Sequence, residues 1–386
     1  MAVQLARENS VNAALKHRLL LPLSVLNVTA YHPPFNCPGQ PLSMSRPLDF
    51  IVFGVPRSGT KALVRALNLH PQVYCAMERF HFRADHARLS FPESFLDRNG
   101  VRRQDDVAKI DRIAESLEAK EEVRFAGNKL PRYYFALDRI NREVPRLRNI
   151  WIYRSPYGFM PSWNRREAER HRGHWPAGQI GLFGLLELLV CIENSLNLGT
   201  EVFVFPYMRG LGDCPDVILQ ALEFLGADPA QYDRRSFEKK QDLQGSKRAG
   251  RRAAGSHSPA LRDFERDLLE ALHIEDLDAL LEQDRGFLLS EVSAQLSDYL
   301  ARITPHLPRV IDRAFSACDN RAVPSFGREY FKRNRRELKG LLKRAQGSEA
   351  LASLQRFGAY ERLKSLYVQR RALRRKLASL RSSGSA

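Results

Sequence analysis

Cysteine is scarce in this chain. The 386 residues hold five, at Cys37, Cys75, Cys191, Cys214 and Cys318, and no two stand at CxxC spacing. An odd, scattered set excludes a disulfide framework and a thiolate zinc site, and it suits a reducing compartment. Long apolar runs are also missing. Leu19 to Val28 is broken by Pro22, Ser24 and Asn27, and Ile180 to Ile192 carries Glu187. Both fall short of the ~20 residues that a membrane-spanning helix needs, so the second reads as a buried core helix. The N-terminus lacks the charged flank and small-residue cleavage site of a signal peptide. No internal repeat is present. These absences predict a cytoplasmic protein with no transmembrane segment.

Acidic residues are short in one region only. Lys and Arg number 61 against 44 Asp and Glu, a formal charge of +17. From Gly327 to Ala386 there are 17 basic and 4 acidic residues, so most of the excess sits there. The body is close to neutral. A bulk-charge argument for nucleic-acid binding therefore applies to the tail alone, and no specific nucleic acid is expected. The tail reads as one or two basic helices able to meet an acidic polymer, a membrane surface or another subunit. Hydrophobic residues make up 44% and charged residues 27%, the mix of a packed globular protein.

What is present is an alternation. Residues 1–47 read as an N-terminal extension that ends in a Pro-rich loop. Short apolar runs follow at 48–53, 73–77, 123–127, 148–153 and 201–205, and helical periodicities lie between them at 60–69, 105–119, 134–144, 180–197 and 215–225. Such alternation predicts a P-loop-like α/β fold: a parallel sheet flanked by helices, with this domain over 48–315. The basic helical C-terminal extension covers 327–386. Residues 259–315 look helical. In an open parallel sheet, ligands bind beyond the carboxyl ends of the strands. Glu78, Lys129, Arg154 and the loop after the first strand should share that rim.

The first loop reads Gly54-Val55-Pro56-Arg57-Ser58-Gly59-Thr60-Lys61. A strand, a Gly-bearing turn and a helix start aim free backbone N–H groups and the helix dipole at an anion. The two glycines have Walker A spacing, yet Thr60-Lys61 stands where a nucleoside triphosphatase needs Lys followed by Ser or Thr. The phosphate lysine and the magnesium hydroxyl are out of register, and a cation, Arg57, sits at the apex instead. At the end of the fourth strand stands Arg154, where a nucleotide kinase would place an Asp for magnesium. An Arg there presents a fork for phosphate oxygens.

The stretch FIVFGVPRSGTKALVRALNLHPQVYCAMERFHF (residues 50–82) resembles the sulfotransferase family, especially its carbohydrate branch of heparan sulfate sulfotransferases and bacterial relatives. The resemblance spans roughly residues 48–245. It implies the donor 3′-phosphoadenosine 5′-phosphosulfate (PAPS), with Arg57, Ser58, Gly59, Thr60 and Lys61 around its 5′-phosphosulfate. Members of the family end the fourth strand with an Arg and carry a Ser eight residues on, which implies Arg154 and Ser162 at the 3′-phosphate. Lys247 and Arg248, in a basic Gly loop, are implied to close over that phosphate. Glu78 matches the family's base. The His81-Phe82 pair lies one residue further from it than in the heparan enzymes, which leaves His81 as the alternative. Lys129, in GNKLPRYY, matches the strand-end lysine, with Leu130 in place of the usual Thr. No metal is implied. Arg79, Arg132, Tyr133 and the loop from Arg165 to Trp175 are candidates to line the acceptor site.

The expected reaction is in-line transfer of a sulfuryl group from PAPS to a hydroxyl or amine of a carbohydrate or glycoconjugate. Positioning and charge stabilisation dominate such a transfer, with Arg57 and Lys129 as cations and Glu78 or His81 as base. The competing readings are a nucleotide-dependent phosphotransferase on the same fold and an anionic-polymer-binding protein acting through the tail. The lack of a membrane anchor points to a bacterial-type soluble member.

Overall fold

The computed structural model describes residues 46–98, 104–120, 122–168, 180–213, 216–239, 261–319 and 339–348. These lie within one compact unit, Ser45–Ala386. The strands are β1 Phe50–Phe53, β2 Val73–Met77, β3 Phe125–Lys129, β4 Arg148–Tyr153, β5 Val202–Pro206 and β6 Phe287–Leu288. The main helices are α1 Thr60–Leu67, α2 Gln104–Glu118, α3 Leu137–Glu143, α4 Pro156–Ala168, α5 Gly181–Leu196 and α6 Asp216–Leu225. They continue with α7 Asp263–Ala271, α8 Ile274–Leu281, α9 Ser293–Ile303, α10 Leu307–Asp319 and α11 Lys339–Arg344.

The sheet order is β2-β3-β1-β4-β5-β6. The first five strands are parallel, with β1 held between β3 (Val52 opposite Lys129) and β4 (Val52 opposite Ile150). After β1 the chain runs to one side of the sheet and then returns to β4 on the other. This places a topological switch point at the carboxyl end of β1, where open sheets bind ligands. The strands are apolar throughout because both faces are covered. Side-chain alternation divides them. Phe50, Val52, Ile150 and Ile152 pack with Leu63, Leu67, Ile218 and Leu222 of α1 and α6. Ile51, Phe53, Trp151 and Tyr153 face Leu185, Leu189, Leu277 and Leu300 on the other side.

The apolar run at 180–192 is the buried helix α5, with every residue from Gly181 to Ile192 out of solvent, Glu187 included. Gly184 lets α4 approach closely: a Cβ there would stand 2.8 Å from the Phe159 ring. The start of the tail packs on the same helix. Leu341 and Ala345 are buried, and Arg344 Nε pairs with Glu193 at 2.6 Å.

Two expectations are corrected. The sheet is not wholly parallel: β6 adds an antiparallel edge to β5, inside the stretch read as all helical. Two residues carry no readable period. The helix expected over 134–144 begins only at Leu137, because Pro131–Phe135 forms a tighter 3-10 turn that buries Tyr133, Tyr134 and Phe135 together.

The edge strand fits only because residue 286 is glycine. A Cβ there would run into the ring of Phe203, which is nearly buried. Gly286→Ala should cost about 1–3 kcal/mol by overpacking, read from urea denaturation midpoints. An unchanged midpoint would show that β6 is not packed as described.

Candidate functional site

The loop after β1 is shaped before any ligand arrives. Gly54 cannot carry a side chain, since a Cβ would lie 2.5 Å from the Ile152 carbonyl oxygen. Arg57 holds a left-handed backbone at φ 78, and Gly59 does so at φ 96 as the N-cap of α1. A non-glycine residue there is strained, and such strain gathers at functional sites. Ser58 is 1% exposed and its hydroxyl has no hydrogen-bond partner. A buried hydroxyl without a partner is costly, and an oxygen-rich anion in the loop would supply one.

The turn after β4 meets this loop directly. Arg154 Nη1 donates to the Arg57 carbonyl oxygen at 2.9 Å. Arg57 Nε donates to Ser162 Oγ at 2.9 Å, and Trp163 Nε1 donates to the Pro56 carbonyl oxygen at 2.6 Å. Residues about a hundred positions apart thus form one wall. Gly158 leaves room for this, because a Cβ there would press on Arg154 Nε at 2.9 Å. Burial and the charges of Arg166, Arg165 and Arg154 all push Arg57 below the usual arginine range. Guanidinium groups gathered this closely repel one another, and an anion relieves the repulsion.

Glu78 and Lys129 form the second half of the rim. Glu78 follows β2 with φ 59, again left-handed, and its N–H donates to the Lys129 carbonyl oxygen at 2.7 Å. Lys129 Nζ, fully buried, donates to Glu78 Oε1 at 2.5 Å. Burial acts to raise the Glu78 carboxyl, but the Lys129 charge and hydrogen bond, with help from Lys61 and Lys109, outweigh it and hold the carboxyl low. The group is ionised at neutral pH and 43% of its side chain is exposed. Its ion-pair partner is Lys129, not Arg57. His81 is exposed, stacks on Phe82 at 4.2 Å and accepts the Arg83 N–H at Nδ1. Burial and then the charges of Arg83 and Arg132 depress its pKa, so it is neutral.

Several expectations need correction. Tyr133 does not line the acceptor site, because it is fully buried and its hydroxyl bonds Asn128 and the Phe80 carbonyl. Arg79 folds back onto the carbonyls of Ser94, Phe95 and Asp97. Arg132 makes a two-pronged ion pair with buried Glu187 at 2.9–3.1 Å, and Tyr134 donates to the same carboxylate. These residues shape the wall from behind. Lys247, Arg248 and the 169–175 part of the loop from Arg165 to Trp175 lie outside the described residues. No group of three or more possible metal ligands occurs among the described residues. Among them, no helix is long and apolar enough to cross a membrane.

Other residues at the site had escaped sequence reading. Asn128, buried beside Lys129, accepts the Arg79 N–H at 3.0 Å and donates to the Phe80 carbonyl, which fixes the turn that carries Glu78. Tyr207, just after β5, lies under Arg154, with the guanidinium carbon 4.6 Å from the ring centre. It also closes on Gly59, where a Cβ would strike the ring. Only its place after a strand end could have singled it out.

Residues 49–181 match the family model described as the sulfotransferase family. This stretch belongs to the sulfotransferase family. The match runs from β1 through α4 and takes in the loop at 54–61, Glu78, Lys129, Arg154 and Ser162. The match supports sulfuryl transfer as the reaction class and a transferase activity. Among solved structures the chain is similar to a sulfotransferase from Alicyclobacillus acidocaldarius. That match has 17% identity and a TM-score of 0.36, and it covers 62% of this chain and 98% of that one. It is also similar to the sulfotransferase domain from the curacin biosynthetic pathway, with 16% identity, a TM-score of 0.31 and coverage of 48% and 75%. No match was found among curated proteins.

The contact between Gly59 and Tyr207 gives a direct test of the sulfotransferase loop. Gly59→Ala should destabilise by about 1–3 kcal/mol through strain and overpacking. In a Tyr207→Ala background the loss should shrink by about 0.5–3 kcal/mol, the range seen for touching pairs. Denaturant titration of the four proteins measures it, and strict additivity would mean that the two residues do not meet.

Proposed function

We propose that this chain transfers a sulfuryl group from PAPS to a hydroxyl or amine of a carbohydrate or glycoconjugate by in-line displacement. The donor supplies the activated sulfuryl group. The observation that carries the reading is the joining of two anion-binding segments by Arg57, Arg154 and Ser162. The loop Arg57, Ser58, Gly59, Thr60 and Lys61 suits a 5′-phosphosulfate, with the Ser58 hydroxyl and the α1 amides as donors. Arg154 and Ser162 suit the 3′-phosphate, and Lys247 and Arg248 remain proposed partners for it. Both segments offer cations and N–H groups, which suit a nucleotide with an anionic group at each end.

Glu78 acts as the base in this reading. Lys129 occupies Oε1, which leaves Oε2 to take the proton from the acceptor. Lys129 is too buried to reach far into the cleft, and it serves by keeping Glu78 ionised and aimed. Arg57, with its apex backbone strained toward the cleft, stabilises charge on the transferring group. His81, neutral and exposed, stands second as base. The carbohydrate acceptor rests on the likeness to the carbohydrate branch and on the basic residues Arg83, Arg165 and Arg166 near the rim.

Thermal shift in metal-free buffer tests the donor. Adenosine 3′,5′-bisphosphate should stabilise the protein, and ATP with Mg²⁺ should do so far less. The opposite order would favour a phosphotransferase. For catalysis, Glu78→Gln should lower kcat by roughly 10²–10⁴ without loss of bisphosphate binding. In Lys129→Met, the largest influence holding the Glu78 carboxyl low is gone and only the weaker Lys61 and Lys109 charges oppose burial, so the acid limb of the pH–rate profile should move to higher pH. A limb that stays in place in Lys129→Met, with full activity in Glu78→Gln, would assign the base to His81.

A further inference from the structure

Behind the turn that follows β4 lies α8, whose last turn presents Asp278 and then the C-cap residue Glu282. Asp278 is satisfied: Tyr153 Oη donates to Oδ1 at 2.6 Å and Ser155 Oγ donates to Oδ2 at 2.7 Å. Ser155 Oγ in turn accepts the Tyr157 N–H at 3.2 Å, which ties α8 to the first turn of α4. Glu282 is different. Oε2 accepts the Met208 N–H at 3.3 Å, while Oε1 is buried and makes no hydrogen bond. Among the described residues no cation stands within ion-pair distance of it. Its carboxylate lies against the Ser155 N–H and feels the Arg154 charge. An acid with one empty buried oxygen therefore sits next to the residue assigned to the 3′-phosphate.

We propose that Glu282 is a proton-linked element of the nucleotide site: a phosphate dianion on Arg154 and Ser162 drives the Glu282 carboxylate to take up one proton from solvent, so that nucleotide binding and protonation of this side chain are coupled. The inference rests on the donor reading above. Its physical basis is like-charge repulsion. In the free protein, the Arg154 charge and the Met208 and Ser155 N–H groups offset part of the cost of burying the Glu282 anion. A phosphate shares the same arginine and adds negative charge next to a carboxylate with poor access to water. The neutral acid with its proton on Oε1 removes the conflict.

The surroundings agree. Burial, then the charge of neighbouring Asp278, raises Glu282 to about 7, against the lowering effects of Met208, Ser155 and Arg154. The other groups facing this corner are Tyr153 and Arg154 from the end of β4 and Tyr299 from α9. The Arg209–Asp284 pair, at 3.0 Å, joins the segments after β5 and α8. Tyr153 stays a neutral phenol because burial and Asp278 push it far up, so it does not compete for the proton. The sign follows. Well below about 7 the carboxyl is protonated in the free protein and this group adds no pH dependence to binding. Above pH 7 a proton must be taken up, and affinity falls as pH rises, by up to about tenfold per unit for one linked proton. Phosphate itself titrates near 6, so the window from pH 7.5 to 8.5 isolates the protein group.

Calorimetric titration of the full chain with adenosine 3′,5′-bisphosphate, in buffers of different ionisation enthalpy across that window, counts the protons. The wild type should take up a large fraction of one proton and bind more weakly at pH 8.5 than at pH 7.5. Glu282→Gln, which keeps an acceptor for Met208, should take up far less and bind more tightly than the wild type at pH 8.5. Equal uptake by the two proteins, or none by a wild type that binds, overturns the role of Glu282 and leaves the donor reading standing. No binding by either protein overturns the donor reading itself. Should Glu282→Gln fail to fold, adenosine 5′-phosphate replaces it. Uptake by the wild type only when the 3′-phosphate is present supports the linkage, and equal uptake with both nucleotides overturns it.

Discussion

The architecture turns on the contact between the loop after β1 and the turn after β4. Arg154 holds the Arg57 carbonyl, Arg57 holds Ser162, and Trp163 holds the Pro56 carbonyl. Each bond alone contributes about 0.5–1.5 kcal/mol. Together they set two helix starts, α1 and α4, at a fixed separation on the same rim. A nucleotide with phosphates at both ends needs that spacing held in advance, since ordering either loop on binding would cost affinity. Glycine at 54, 59 and 158 permits the approach, because a Cβ at any of them would meet neighbouring atoms.

Charge then sorts the rim into two halves. On the side of β1 and β4, guanidinium groups crowd together, and Arg57 is depressed by burial and by its neighbours. That half asks for an anion. On the side of β2 and β3, the cation is already matched, with Lys129 against Glu78. The Glu78 side chain stays partly exposed, and in the proposed reaction its second oxygen takes the acceptor's proton. Buried Glu187 satisfies Arg132 and Tyr134 behind it, and Asn128 fixes the turn of Glu78. A sulfuryl transferase needs both halves: one to hold the donor's charge and one to activate the acceptor.

Much of this was legible in the sequence. Strand ends mark the rim, so Glu78, Lys129, Arg154 and the glycine loop could be placed together from order alone, and β2 and β4 have the bounds that their apolar runs indicate. The eight-residue offset from Arg154 to Ser162 became a contact to Arg57. Other features depend on tertiary partners that no local pattern reveals. Arg132 looked like an acceptor contact because its partner, Glu187, lies 55 residues away inside an apolar run. Glu282 reaches the β4 turn from a helix more than a hundred residues later, and its carboxylate resembles any other surface Glu in the sequence. Strand β6 is two residues long and exists only by pairing with β5.

The most direct measurement of the two-ended pocket compares nucleotides that differ by one phosphate. Affinities of the wild type and Arg154→Ala would be taken for adenosine 3′,5′-bisphosphate and for adenosine 5′-phosphate under the same conditions. The account predicts that Arg154→Ala brings the bisphosphate down to the affinity of the monophosphate, while the monophosphate itself changes little. An equal loss for both ligands would contradict the assignment of the β4 turn to the second phosphate.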